Sequence, residues 1–526
     1  MNTASSPFDL VPAPASVSAA DGSFSTSGPA AVSWSGPDSS REVAELLAEY
    51  LCGDFGVAAA AAAASGAGAA AVALVQTADP APDADGFLPE EYVLTVDPAS
   101  GARIEAPSAA GLARGVQTLR QLARAGSGAG ALVLPACRVE DAPAFRWRGL
   151  HLDVSRHFFS ADDVCRFIEL LAQHRMNMFH WHLTDDQGWR IEIKRYPKLA
   201  QVGSVRARTL AGHHSKWPHR WDDTPHGGFY TQEDVRRVVA FAARRHVTVV
   251  PEIDMPGHME AAIAAYPEIG AGYAPVRSVR DRWGISKEVL SLDDACVAFC
   301  KNVWEELFAL FPGLYMHIGG DEAPTTAWEE TEKAQRIMAA RGLSSPRAMQ
   351  SWFTARMSEF FRERGKRLIG WDEILEGEEL DPSSAVMYWR SHHKEVDISA
   401  AAKAGHKIVC APTSFTYFDY YQAEPVSEEP LAIGGLLTLP HVFSFDPLAG
   451  IAPEARGAVL GGQGQLWTEY IATRDYLDYM TYPRACALAE ALWLGSRKPT
   501  FADFRRRLAV HAERLAAQGV RLRRGV

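Results

Sequence analysis

Short apolar runs alternate with amphipathic helical stretches from Phe145 onward. This alternation is typical of repeated strand–helix units, because a parallel strand needs a crossover to return the chain to the same end of the sheet. Eight runs are predicted strands, and eight such units predict an α/β TIM barrel. The predicted strands are Trp147 to Val154, Met176 to Leu183, Val247 to Ile253, Leu314 to Ile318, Arg367 to Trp371, Ala385 to Trp389, Lys407 to Cys410 and Ala458 to Trp467.

Capping residues mark where three of the intervening helices are expected to begin. A serine or threonine followed three residues later by an acid satisfies two free N–H groups of the first helical turn. Two closing helices are predicted after the eighth strand, over 482–494 and 500–518. The predicted capping pairs are Ser160 with Asp163, Thr231 with Asp234 and Ser291 with Asp294.

Residues 1–141 differ in pattern from the rest of the chain. They hold predicted helices over 41–51 and 113–125, predicted strands over 71–76 and 92–96, and an alanine tract, 58–64, that carries little structural information. We therefore predict a small α+β domain without evident chemistry over 1–141. The TIM-barrel catalytic domain is then predicted over 142–495, and a C-terminal helix packed on the barrel over 496–526.

Composition and charge narrow the functional classes. The chain is 47% hydrophobic and 22% charged, with a net charge of -11 and no run of basic residues, so neither a nucleic acid nor a membrane is an expected partner. The first eleven residues lack the basic and apolar parts of a signal peptide, which favours a cytoplasmic location. The seven scattered cysteines favour reduced thiols. A monomer or a homodimer is expected.

Acidic and aromatic residues follow nearly every predicted strand. In a TIM barrel these positions converge on one mouth, where catalytic groups gather. Indole rings pack on the flat C–H faces of sugars and charged side chains bind sugar hydroxyls, so the combination indicates a carbohydrate site. The residues concerned are Asp153, Arg156, Asp185, Asp186, Asp254, His258, Asp321, Glu322, Trp371, Asp372, Glu373, Tyr417, Asp419, Trp467 and Glu469.

Asp321 and Glu322 follow the fourth strand after two glycines. Neighbouring carboxylates disfavour each other's ionisation, so one can hold a proton near neutrality while the other stays charged. Ordinary glycosidases place an acid and a nucleophile about 5 Å or more apart on opposite faces of the sugar, and adjacent residues do not easily straddle a ring. Either a distant carboxylate attacks, or the substrate supplies its own nucleophile.

Four ordered motifs resemble the β-N-acetylhexosaminidases of glycoside hydrolase family twenty. The likeness covers roughly residues 143 to 495, and the stretch 115–121 resembles part of the small α+β domain that precedes the catalytic domain in that family. The motifs are HLDVSRHF at 151–158, HWHLTDDQGW at 180–189, PEIDMPGH at 251–258 and HIGGDE at 317–322.

The resemblance implies a retaining exo-hydrolase that removes terminal β-linked N-acetylglucosamine or N-acetylgalactosamine from oligosaccharides or glycoconjugates. The substrate's acetamido oxygen would attack, Glu322 would be the general acid/base, Asp321 would orient the acetamido N–H, and Tyr417 would hold its oxygen. Neither a cofactor nor a metal is implied. The resemblance also assigns hydroxyl binding to Arg156, Asp185, Asp419 and Glu469, pocket walls to Trp352, Trp371 and Trp467, and support of the acid to Asp254 and His258.

One departure concerns the side of the leaving group. Some family members carry a further tryptophan there, but residues 420–466 contain none. Phe443, Phe445 or an aromatic residue of a partner subunit are candidates to replace it. The loop 206–230, with four histidines and two tryptophans, either shapes the mouth or faces solvent.

Two other functions stay open at this point. His180 and His182 project to one side of a strand, as metal ligands do in metal-dependent hydrolases on the same barrel, although the expected His-x-His of the first strand is replaced by His151-Leu-Asp153. A catalytically inactive sugar-binding homologue would keep the tryptophans without needing Glu322.

Overall fold

Eight parallel strands form a closed barrel in the computed structural model, which describes residues 6–26, 28–64, 70–126, 130–377, 380–391 and 397–525. Each strand pairs with the next along the chain, and the last pairs with the first. The predicted TIM barrel and its eight strands are confirmed. Their bounds are Trp147–Asp153, Met178–His182, Thr248–Glu252, Tyr315–His317, Arg367–Trp371, Ala385–Tyr388, Lys407–Cys410 and Val459–Gly464.

The barrel interior changes from apolar to polar along the strands. Near the amino ends, side chains such as Met178, Val250 and Tyr315 form an apolar cluster. Because inward residues alternate along a strand, His180 and Glu252 form part of the next layer up. A buried polar layer therefore separates the apolar base from the mouth.

The helices that follow the barrel strands cover its outside. The capping boxes at Ser160 and Thr231 are confirmed. The pair of Ser291 with Asp294 is wrong, because the N-cap is Asp293, whose carboxylate accepts a hydrogen bond of 2.8 Å from the backbone N–H of Cys296. The bounds are Ala161–Gln173, Gln232–Ala243, Asp294–Leu310, Thr326–Glu330, Glu332–Arg341, Pro346–Glu363, Ile398–Lys403, Thr413–Thr416, Leu439–Phe443, Arg474–Thr481, Arg484–Leu494 and Phe501–Ala517.

The fifth strand departs from the regular strand–helix alternation. Within the residues that the structure describes between the fifth and sixth strands, the helical element is the 3-10 turn Asp372–Leu375. Elsewhere the loops carry short helices and three small hairpins. The short helices are Lys198–Gln201, Glu260–Ala265, Pro267–Ile269, Val426–Glu428, Pro453–Ala458 and Gly495–Arg497, and the hairpin strands are Thr184–Asp185 with Gly188–Trp189, Val205–Arg206 with His226–Gly227, and Leu210–Ala211 with Arg220–Trp221.

The N-terminal region is a mixed sheet with two helices, Asp38–Phe55 and Ala109–Leu122, as an α+β domain requires. The alanine tract is an ordered strand, Ala59–Ala63, that pairs in parallel with Ala30–Ser35. Alanine has low strand propensity, so pairing with a neighbour rather than local preference produces this strand. The other strands are Ser16–Ser25, Val72–Gln76, Tyr92–Asp97, Gly101–Ala106, Arg124–Ala125 and Leu132–Asp141.

Buried charges join the N-terminal domain to the barrel. The Glu90 carboxylate contacts the guanidinium groups of Arg114 and Arg148 at 2.8 and 2.7 Å. Arg114 also donates a hydrogen bond of 2.6 Å to the carbonyl of His246, just before the third barrel strand. These contacts lie at the amino ends of the strands, so the domain covers the end of the barrel opposite the mouth.

The last helix, Phe501–Ala517, packs against Arg484–Leu494 through a buried ion pair between Arg507 and Glu490 at 2.5 Å. Arg507 also donates to the carbonyl of Leu10, which ties the helix to the N-terminal segment. Among the described residues, no helix has both the length and the apolar character needed to cross a membrane.

Candidate active site

An open pocket of about 320 Å³ lies at the carboxyl ends of the barrel strands. Nine of the twelve predicted site residues line it, and the other three, Asp254, Trp352 and Trp371, do not. The nine are Arg156, Asp185, His258, Asp321, Glu322, Tyr417, Asp419, Trp467 and Glu469.

A tight turn after the fourth strand presents Asp321 and Glu322 to the pocket. Gly319 and Gly320 have φ angles of 73° and 90°, which favour glycine. A side chain at Gly319 would place its Cβ 1.9 Å from a carboxylate oxygen of Asp254, so a larger residue does not fit. Glu322 itself has a φ of 46°, and such conformations cost about 1–3 kcal/mol and cluster at functional sites.

The two adjacent carboxyl groups have different environments. Asp321 is buried, and its burial together with the charge of Glu322 raises its pKa to about 6. The Glu322 side chain is 37% exposed to the pocket. Partial burial raises the pKa of Glu322, but the adjacent His258 outweighs this effect and holds that pKa below its ordinary value. The expected split between the paired acids is present, because Asp321 keeps its proton to a higher pH than Glu322 does.

His258 stands between the acid and a second carboxylate. Its Nε2 lies 3.6 Å from Glu322 and 3.9 Å from Asp321, while its Nδ1 lies 3.1 Å from Asp185. Burial lowers the pKa of His258, but Asp185 and Asp254 outweigh this effect and raise the pKa well above its ordinary value. The imidazolium is therefore the positive charge beside Glu322.

The predicted partners of His258 need two corrections. Asp254, expected to hold this histidine, instead accepts a hydrogen bond of 3.2 Å from the backbone N–H of Gly320, and its burial and Asp321 raise its pKa well above the ordinary value. The carboxylate that holds His258 is Asp185. Both oxygens of Asp185 already accept from protein donors, so its predicted role in binding a sugar hydroxyl is wrong. These donors are the Asp186 N–H, His258, His182 and Arg156.

Arg156 contacts two acidic residues of the pocket. Its guanidinium contacts Asp185 at 2.9 Å and Glu469 at 3.6 Å, and lies 5.2 Å from the ring centre of Trp467. Asp419 lines the same region, and one of its buried oxygens has no hydrogen-bond partner in the structure. Because a buried oxygen without a donor is costly, Asp419 is suited to accept a hydrogen bond from a sugar hydroxyl.

Three aromatic rings form a continuous wall. Tyr417 lies between Trp389 and Trp467, with ring centres 6.2 and 6.5 Å away. The indole N–H of Trp389 donates to Glu373 at 2.9 Å, which fixes the ring. Trp371 was expected in this wall, but it is fully buried beneath the pocket, with its ring centre 5.8 Å from that of Trp467.

Trp352 is not part of the pocket, and its predicted role is wrong. It lies on the helix Pro346–Glu363, outside the barrel, where the guanidinium of Arg341 stacks 3.6 Å from its ring centre. The residue that occupies the wall instead is Trp389. It directly follows the sixth strand, so the rule that strand ends carry the site identifies it, whereas Trp352 lies in a helix.

Eight further residues line the pocket, and they come from loops and from the ends of strands. Trp283 and Ile285 line the mouth, and the half-exposed Ile285 adds an apolar surface there. Thr413 follows the seventh strand and was not assigned a role. The full set of additional lining residues is His214, Trp283, Gly284, Ile285, Trp389, Thr413, Tyr420 and Ile433.

The loop 206–230 both shapes the mouth and faces solvent. His214 lines the pocket, with its Nδ1 2.9 Å from the Tyr470 hydroxyl, and His213 Nε2 lies 2.9 Å from the Ile433 carbonyl. Trp217 is 83% exposed. The candidates Phe443 and Phe445 are buried, and neither lines the pocket.

The histidines that suggested a metal site lie in a polar cluster around Glu252, below the pocket. His180 and His182 are fully buried, and their nitrogens lie 3.0 and 2.5 Å from one oxygen of Glu252. Glu252 belongs to two groups with the donor types of a metal site, one with His180 and His317 and one with His151 and His182. The atoms contact each other directly rather than surround a space, and they face the barrel axis. A second buried group, His174, Cys486 and His511, lies among the outer helices.

Replacing Asp321 by asparagine is expected to stabilise the fold at pH 8 and not at pH 4. The pKa of Asp321 is about 6 in the fold and about 3.9 in an unfolded chain, so its ionisation in the fold costs at most about 3 kcal/mol. This cost grows as the pH rises from about 4 to 6, and is complete above that range. Thermal unfolding of the variant and the wild type at both pH values measures the difference.

A matched control replaces Asp478, whose carboxylate is paired with Arg166 at 2.6 Å. Asp478→Asn removes a favourable contact and should lower the midpoint of unfolding at pH 8. If Asp321→Asn is no more stable than the wild type at pH 8, ionising Asp321 in the fold does not lower the free energy of unfolding.

Two family models match the chain. Glycosyl hydrolase family 20, catalytic domain, matches residues 145–496, and glycosyl hydrolase family 20, domain 2, matches residues 8–142. The β-hexosaminidase of Porphyromonas gingivalis is 42% identical over 439 residues, covering 82% of this chain and 54% of the relative. That of Vibrio furnissii is 37% identical over 404 residues, covering 76% and 64%. The chain thus spans between half and two thirds of the length of these two relatives.

Solved structures are similar over nearly the whole chain. The family 20 exo-β-N-acetylglucosaminidase of Vibrio harveyi, in complex with N-acetylglucosamine, has a TM-score of 0.83 at 31% identity, covering 99% of this chain and 79% of the other. The N-acetyl-β-hexosaminidase of Streptomyces plicatus, in complex with thio-NAglucal, has a TM-score of 0.82 at 30% identity, covering 99% and 97%.

Proposed function

The chain belongs to glycosyl hydrolase family 20, and from this premise we propose that it is an exo-acting, retaining β-N-acetylhexosaminidase. Its substrates are oligosaccharides or glycoconjugates that end in β-linked N-acetylglucosamine or N-acetylgalactosamine. The names of the similar proteins support the activity, and the N-acetylglucosamine bound by the Vibrio harveyi enzyme supports the sugar.

The observation that carries the proposal is the environment of the adjacent acids. Glu322 extends into the pocket beside His258, whereas Asp321 is buried at the pocket floor. Asp321 and Glu322 do not flank a sugar ring, which supports attack by the substrate's own acetamido group.

In the first step, Glu322 donates a proton to the glycosidic oxygen. The acetamido oxygen attacks C1, and the electron pair of the broken C1–O bond goes to the leaving oxygen. Asp321 accepts a hydrogen bond from the acetamido N–H and, once ionised, stabilises the positive charge of the oxazolinium. Tyr417, in the adjacent aromatic wall, is the residue we assign to the acetamido oxygen.

The second step reverses the proton transfer. Glu322, now a carboxylate, takes a proton from water, and the water oxygen attacks C1 and breaks its bond to the acetamido oxygen. Two displacements at C1 leave its configuration unchanged. His258 favours the carboxylate form of Glu322 in this step, since its positive charge lies 3.6 Å away.

The acid must be protonated for the first step, although His258 lowers its pKa in the unliganded site. A bound sugar removes water from Glu322, which favours the neutral carboxyl group. The acetamido N–H favours ionised Asp321. Substrate binding therefore moves the preferred proton position from Asp321 to Glu322.

A labelled trisaccharide tests the proposed activity. The β-1,4-linked N-acetylglucosamine trimer, labelled at its reducing end, should yield unlabelled monosaccharide and labelled disaccharide as first products, with the β-anomer detected first by NMR. Aryl β-N-acetylgalactosaminide assayed alongside compares the two sugars. Release of labelled monosaccharide first, or of the α-anomer first, would contradict an exo-acting, retaining enzyme.

A further inference from the structure

Glu252, the last residue of the third barrel strand, is a fully buried carboxylate at the centre of the polar layer under the pocket. Four side chains contact its two carboxylate oxygens, and two of them, His182 and the indole of Trp371, form hydrogen bonds with it. Its contacts are His182 Nδ1 at 2.5 Å and His180 Nε2 at 3.0 Å on one oxygen, and His317 Nδ1 and the Trp371 indole N–H at 2.9 Å on the other.

One of these contacts continues to the acid. His182 uses its other nitrogen, Nε2, to contact Asp185 at 2.9 Å. Asp185 in turn contacts His258, which lies beside Glu322. A continuous chain therefore runs from the barrel axis through His182 and Asp185 to the reactive carboxyl group.

The charges along this chain alternate. Burial lowers the pKa of His182, but Glu252 and Asp185 outweigh it and raise that pKa well above its ordinary value. Burial raises the pKa of Glu252, but the surrounding histidines hold it well below its ordinary value. With both nitrogens facing carboxylates, His182 is an imidazolium that donates in two directions. Its ring orientation is thereby fixed.

The remaining contacts of Glu252 reach two other parts of the site. Trp371 lies beneath Trp467, which forms the pocket wall. His317 ends the fourth strand, and its Nδ1 accepts a hydrogen bond of 3.1 Å from the backbone N–H of Gly319, in the turn that carries Asp321 and Glu322. A single buried carboxylate thus contacts the supports of the acid, the wall and the turn.

We infer that Glu252 and His182 are positioning residues for Glu322, which hold Asp185 and His258 in the orientation that general acid catalysis requires. This inference rests on the proposed function. Groups behind a reactive residue fix its geometry, and their loss typically lowers activity about 10- to 100-fold.

Dependence on the leaving group separates this role from a merely structural one. A dinitrophenyl leaving group departs without a proton, whereas an alkyl or sugar leaving group needs the acid. A variant that disturbs only the acid loses activity on the second class of substrate. A variant that distorts the whole pocket loses activity on both.

The experiment compares kcat of Glu252→Gln and of the wild type on dinitrophenyl and methyl β-N-acetylglucosaminides. We expect a loss of about 10- to 100-fold on the methyl glycoside and a much smaller loss on the dinitrophenyl glycoside. His182→Gln keeps a donor toward Asp185 but loses the link to Glu252, so we expect a loss of the same kind and smaller size. Glu490→Gln, which alters a buried carboxylate paired with Arg507, is the matched control and should not change the ratio of the two rates.

The outcomes distinguish failure of the proposed function from failure of the positioning role. A wild type that cleaves neither glycoside overturns the proposed function. If the wild type is active and Glu252→Gln loses equal activity on both substrates, the positioning role is overturned while the function stands. Should Glu252→Gln not fold, His182→Gln decides by the same ratio, and failure of both variants to fold assigns the pair to the barrel core and overturns the inference.

Discussion

An aryl β-glucoside, which carries a hydroxyl group in place of the 2-acetamido group, is expected to react about 10⁵-fold more slowly than the matched aryl β-N-acetylglucosaminide, or slower still. Well-oriented intramolecular groups have effective molarities of about 10⁵–10⁸ M, and the glucoside lacks the attacking group. The adjacent positions of Asp321 and Glu322 offer no protein nucleophile in exchange. Initial rates with the same phenol as leaving group measure the ratio.

The control is a pair of glycosides that differ in the leaving group but keep the acetamido group. Both should be cleaved, which shows that the missing acetamido group and not the phenol accounts for the slow reaction. Comparable kcat/KM values for the glucoside and the N-acetylglucosaminide would mean that a protein carboxylate attacks, and would overturn the assignment of Asp321 and Tyr417.

Replacing Glu322 by glutamine is expected to lower kcat about 10²- to 10⁴-fold on substrates with a poor leaving group, the usual contribution of general acid–base catalysis. Glutamine occupies a similar volume but has no proton to donate to the glycosidic oxygen. Because Glu322 is partly exposed in the pocket, its replacement should leave the thermal midpoint nearly unchanged. Steady-state kinetics and thermal unfolding of the same samples measure both effects.

Glu330→Gln is a suitable control, since this exposed glutamate ends the short helix that follows the site. It should retain wild-type activity. Full activity of Glu322→Gln would show that Glu322 is not the general acid and that another group protonates the leaving oxygen.

The position of the catalytic residues was predictable because strand ends in a barrel converge. Asp321, Tyr417 and Trp467 each follow an apolar run, and the closed barrel places all three around one pocket. The same rule applies to Trp389. The prediction for Trp352 was wrong because this residue lies in a helix and not at a strand end. Its contact with Arg341 holds the ring on the outside of the barrel.

Contacts between distant strand ends were not predictable in the same way. Asp185 and Asp254 both follow strands that lead to the mouth, and the sequence alone does not state which of them reaches His258. Strand pairing and the hairpin at 184–189 bring Asp185 to 3.1 Å from His258. Asp254 instead packs closely against Gly319 and accepts a hydrogen bond from the backbone N–H of Gly320.

The sequence by itself determined the barrel, its eight strands and the group of acids at the mouth, because burial and alternation leave a periodic signal along the chain. Only the tertiary structure decided which aromatic rings face the pocket, which carboxylate holds His258, and that Glu252 contacts side chains of three other strands below the pocket. These outcomes depend on side chains far apart in sequence that meet after the barrel closes. No local pattern encodes their distances.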